Sequence, residues 1–61
     1  MIFEFNYQIL HCDKVFGLVI NTDTKQYMKT KGLINGISIR YNDYIYLIKS
    51  LKRNGFIEKD N

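Results

Sequence analysis

His11, Cys12 and Asp13 bring the letters of a nucleophile, a general base and an orienting carboxylate into three consecutive positions. In extended backbone, adjacent side chains point to opposite faces, whereas a Cys–His dyad needs its groups within hydrogen-bond reach. The triplet therefore reads as a polar turn that contains a cysteine. The six acidic residues Glu4, Asp13, Asp23, Asp43, Glu58 and Asp60 are spread along the chain. No two share an expected element at a spacing suited to acid–base catalysis or to a hard cation. One histidine and one cysteine fall short of a four-ligand zinc site, and the four glycines form neither a phosphate loop nor a dinucleotide fingerprint. The expectation is a protein with no catalytic residues, no metal and no cofactor.

Two basic–aromatic groups carry more information. Lys25, Tyr27 and Lys29, extended by Lys31, alternate along one stretch of chain. On one face of a strand, such a set places an aromatic ring for base stacking between ammonium groups for phosphates. Tyr46, Lys49 and Arg53 stand at i, i+3 and i+7, one face of a helix. Tyrosine beside arginine is the residue mix enriched in protein-interface hot spots.

The elements that must hold these residues are legible from periodicity. Ile2 to Leu10 alternates, with Phe3, Phe5, Tyr7 and Ile9 on one side and Glu4, Asn6 and Gln8 on the other, the pattern of a half-buried strand. Val15 to Asn21 is a second strand, with Phe16, Leu18 and Ile20 sharing a face. The segment Asn21-Thr22-Asp23-Thr24 suits a turn, because Asx and Thr side chains bond nearby backbone amides. Lys25 to Thr30 is expected as a third strand, and Ile37 to Tyr41 as a short fourth beyond an irregular stretch between Gly32 and Gly36.

Tyr44, Ile45, Leu47, Ile48 and Leu51 then follow helical spacing. Asn42 or Asp43 is expected as N-cap, the cations Lys49, Lys52 and Arg53 suit the negative end of the helix dipole, and Gly55 falls where a left-handed C-cap belongs, with Phe56 folding back. The run from Leu51 to Lys59 resembles the end of a winged-helix recognition helix entering its wing. The strands ahead of it depart from that family, and a glycine C-cap accounts for the same residues. The fold expected is α+β: a small antiparallel β-meander of three or four strands, with one C-terminal amphipathic helix packed on one face, in a single domain over residues 1–61.

Composition narrows the function classes. At 61 residues, 46% of them hydrophobic, the chain buries only roughly 60% of its unfolded surface and lacks the paired cysteines that staple small domains. A homodimer is the expected remedy. The lone Cys12 suits a reducing cytoplasm, and no apolar run approaches the ~20 residues of a membrane helix. Ile, Asn, Lys, Tyr and Phe supply 31 of 61 residues, while Ala, Pro and Trp are absent, the signature of an A/T-rich genome such as that of a low-GC bacterium or its phage. The reading is a non-enzymatic protein-binding module, in its most specific form a phage or mobile-element protein that binds and inhibits a bacterial host or defence protein. The alternative is a small nucleic-acid-binding protein, which a net charge of +3 permits without demanding.

Overall fold

A computed structural model describes residues 1–60 as a five-stranded mixed sheet crossed by one helix. Strands β1 (Ile2–Ile9), β2 (Val15–Asn21) and β3 (Gln26–Lys31) form an antiparallel meander. The β1–β2 turn contains His11 and the β2–β3 turn contains Lys25, both with positive φ (62° and 53°). In the second turn the Asn21 carboxamide oxygen accepts bonds from the amides of Asp23 and Thr24, the local bonding expected of that sequence.

Beyond Lys31 the chain departs from a meander. The segment after β3 turns back across the sheet face that the helix leaves open. There the Leu33 amide donates to Asn6 Oδ1 at 3.1 Å. Gly32 lies so close to the Phe16 backbone that a Cβ would sit 2.5–2.8 Å from three of its atoms, which is why only glycine fits this crossing. The chain then reaches the far edge, where β4 (Ile37–Ile39) pairs in parallel with β1.

Helix α1 (Tyr41–Arg53) leads from this edge to the opposite one, where β5 (Ile57–Glu58) pairs in parallel with β3. The sheet order is β4-β1-β2-β3-β5. The expected α+β class holds. The antiparallel three- or four-stranded meander with a terminal helix is corrected: the fourth strand joins the edge of β1 rather than that of β3, and a fifth strand follows the helix, which thereby becomes a crossover between parallel strands.

One helix end matches the sequence expectation and the other departs from it. The N-cap is Arg40, in extended conformation and without a side-chain cap; Asn42 and Asp43 lie inside the first turn. Asp43 there still opposes the positive end of the dipole. At the other end Gly55 adopts φ +87°, its amide bonds Lys52 O at 3.1 Å, and the Phe56 amide bonds Leu51 O at 3.0 Å. This doubly bonded arrangement satisfies carbonyls that a helix end otherwise leaves free, and it turns Phe56 inward.

Register places Phe3, Phe5, Tyr7 and Ile9 of β1, Phe16, Leu18 and Ile20 of β2, and Tyr27 and Lys29 of β3 on the helix-covered face. The core is Leu18, Tyr27 and Ile48, with Tyr7, Ile20, Tyr44, Leu47, Leu51 and Phe56 packed around it. A row of rings runs along β1, Phe3 to Phe5 at 6.3 Å and Phe5 to Tyr7 at 6.0 Å, and continues through Phe16 to Tyr44 on the helix. Its outer end escapes the helix: Phe3 is 41% exposed.

Candidate protein-contact faces

Helix α1 is anchored by Ile48, Leu47, Leu51 and Tyr44, so its orientation on the sheet is set by the core. The opposite side of the helix carries Tyr46, Lys49 and Arg53, all exposed, with the Tyr46 ring 66% accessible. The structure thus brings this expected trio onto one rigid surface. Lys52 is exposed beside it, and Asp43 is the one acidic residue of the helix. The face therefore offers an aromatic ring among cations, a surface suited to a partner with carboxylates and an apolar recess.

The second expected trio does not assemble. Tyr27 is 1% exposed, lying in the core beneath the helix, and Lys25 belongs to the preceding turn rather than to the strand. Alternation does put Tyr27 and Lys29 on one face, but it is the face that α1 and Phe56 cover, so the Tyr27 ring cannot stack on a base. The Tyr27 hydroxyl is buried with no hydrogen-bond partner among the described residues. Burial first, and the Glu58 carboxylate second, push its pKa above 10.0.

Lys29 sits at the edge of the covered face and pairs with Glu58 at 3.3 Å, joining β3 to β5. Burial works to lower the Lys29 pKa, but the hydrogen bond and charge of Glu58, with the neighbouring Tyr44 and Tyr27, outweigh it and hold it above 10.5. Tyr7 is likewise raised, by burial.

Two further surfaces were not identified from sequence. A depression of about 420 Å³ opens beside the start of the helix, lined by Ile9, Cys12, Lys14, Phe16, Lys29, Tyr41 and Tyr44. Cys12 is an exposed free thiol at its rim. The other surface is the open side of the sheet, where Ile2, Val19, Met28 and Ile57 lie among Glu4 and amide side chains. The alternation of β1 was visible beforehand. The grouping of these four apolar residues was not, because it depends on which residues of β2, β3 and β5 line up with Ile2.

Among the described residues, no group of three or more His, Cys, Asp or Glu side chains is placed to hold a metal ion, and no helix is long and apolar enough to cross a membrane. The chain matches no protein-family model, no curated protein and no solved structure.

Proposed function

We propose that this chain is a non-enzymatic protein-binding module whose contact face is the outer side of α1. The observation that supports this reading is the exposure of Tyr46, with Lys49 and Arg53 following it along the same face, on a helix whose other side is pinned to the core. A large ring held out on a rigid element loses little conformational freedom on docking, which is what makes such residues energetic anchors. The cations around it favour an acidic partner surface. The A/T-rich composition supports a phage or mobile-element source, and with it a bacterial host or defence protein as the partner to be inhibited.

The nucleic-acid alternative loses ground because one of its two basic–aromatic groups has its ring in the core. The test is affinity capture with the full chain from bacterial lysate before and after nuclease treatment. Protein retained after nuclease, and lost on Tyr46→Ala, supports the reading. Recovery of nucleic acid alone, with nothing left after nuclease, contradicts it.

A further inference from the structure

We infer that the open face of the sheet is an interface between two copies of this chain, packed sheet against sheet about a two-fold axis.

The side chains directed to this face are Ile2, Glu4, Asn6 and Gln8 from β1, Val15, Val19 and Asn21 from β2, and Gln26, Met28 and Thr30 from β3, with Ser38 and Ile57 at the edges. Ile2, Val19 and Met28 line a shared depression together with Asn21, Gln26, Tyr27 and Lys59, and Ile57 at the sheet edge is 68% exposed. The segment that crosses the same face between β3 and β4 adds Leu33 and Ile34, the latter 86% exposed. Ile2 and Ile57 on this face, with Leu33 and Ile34 on the segment crossing it, group four exposed aliphatic residues of so small a chain, and such a grouping marks a surface that is covered in use.

The chain exposes more surface than a closed monomer of its size, by an amount of the order of a dimer interface. The chain exposes 4838 Å². A closed monomer of 7.3 kDa is expected to expose about 4200 Å². The excess, roughly 600 Å², is close to the ~800 Å² that each partner contributes to a standard interface.

Charge selects a second copy as the occupant. Of the strand side chains on the open face, Glu4 alone is charged, and Lys59 borders the same depression. The remaining cations lie on α1, on the helix-covered side of β3 or in the turns. Two chains of net charge +3 can therefore meet through nearly neutral surfaces, with the basic helices on the two far sides. A self-associating face also suits a domain whose described residues include only four buried hydrophobic ones, Ile9, Leu18, Tyr27 and Ile48. The missing second layer is then present wherever the chain itself is.

This inference stands independently of the helix-face reading. Together they describe a bivalent particle with two identical helix faces pointing in opposite directions, able to bridge or to grip a symmetric partner.

Sedimentation equilibrium of the full chain across nanomolar to micromolar concentrations tests the inference. A dimer is expected, weakened roughly tenfold or more by Met28→Lys or Ile57→Lys, since each would bury an unpaired ammonium in the interface. Tyr46→Ala, on the opposite side, is expected to leave the dimer unchanged. Ile57 is exposed at a sheet edge, so Ile57→Lys decides the matter even if Met28→Lys fails to fold. A wild-type monomer throughout the range would overturn the inference. So would a dimer that survives Ile57→Lys with unaltered affinity, and so would one that Tyr46→Ala disrupts.

Discussion

The ring of Tyr44, in the first turn of the helix, lies 4.3 Å from the ring of Phe16 on β2, tilted by 53°. This contact ends the aromatic row that begins at Phe3 and ties the start of the crossover helix to the middle of the sheet. A tilted aromatic pair at this distance adds about 0.5–1.5 kcal/mol beyond the area it buries. Tyr44→Leu and Phe16→Leu are each expected to destabilise the fold. A double-mutant cycle by urea unfolding should return a coupling energy in that range. Additivity within error would show that the rings pack independently.

Tyr27→Phe is expected to raise stability by about 1 kcal/mol, because it removes a buried hydroxyl that no partner satisfies while keeping the ring that fills the core. Urea midpoints of the two proteins at neutral pH check this. A loss of stability would mean that the hydroxyl has found a partner.

The pH dependence has a definite sign. Tyr7, Tyr27 and Lys29 all have pKa values raised above 10.0, 10.0 and 10.5. Each group thus holds its proton more tightly in the folded chain than in the unfolded one. Their contribution is fully present below the unfolded values and is lost as pH rises through the folded ones. Stability measured by thermal unfolding should change little through these groups up to about pH 9 and fall above about pH 10. Tyr27→Phe should make the alkaline fall shallower, and an identical fall in that variant would count against Tyr27 as a contributor.

Two glycines are expected to resist replacement for different reasons. At Gly32 an added Cβ meets the backbone of Phe16, which has no rotamer to retreat into, so Gly32→Ala should cost about 1–3 kcal/mol. At Gly55 there is open space, and the cost of Gly55→Ala comes only from the left-handed backbone, about 1–2 kcal/mol. Gly55→Asn should cost less than Gly55→Ala, because asparagine tolerates that region, whereas Gly32→Asn should be at least as damaging as Gly32→Ala. Chemical unfolding of the four variants separates the two mechanisms.

Much of the fold was legible because local patterns determine local structure. The alternation of Ile2–Ile9, the β-branched run of Val15–Asn21 and the stripe from Tyr44 to Leu51 each identify an element without reference to the others. What was not legible depends on pairing. Ile37-Ser38-Ile39 reads as a strand, but nothing in three residues says that it joins β1 rather than β3. Ile57-Glu58 is too short to show any period. Which side of β3 the helix covers depends on the register of β3 with β2, so the alternation of Lys25, Tyr27 and Lys29 alone does not separate a buried ring from an exposed one. A usable sign was present in Phe56 and Ile57, an apolar pair just after a glycine-capped helix. The outer face of α1 was legible because a helix stripe that points inward also determines what points outward.

The contact role of Tyr46 is tested most directly on a protein captured from lysate and then purified. Its affinity for the wild-type chain is compared by calorimetry with its affinity for Tyr46→Ala and for Asp43→Asn, an exposed change on the same helix. Both variants should unfold within about 0.5 kcal/mol of wild type. Tyr46→Ala should weaken binding about thirtyfold or more, the loss of an interface hot spot, while Asp43→Asn leaves the affinity near that of wild type. Equal affinities for wild type and Tyr46→Ala would contradict the assignment of this face as the contact surface.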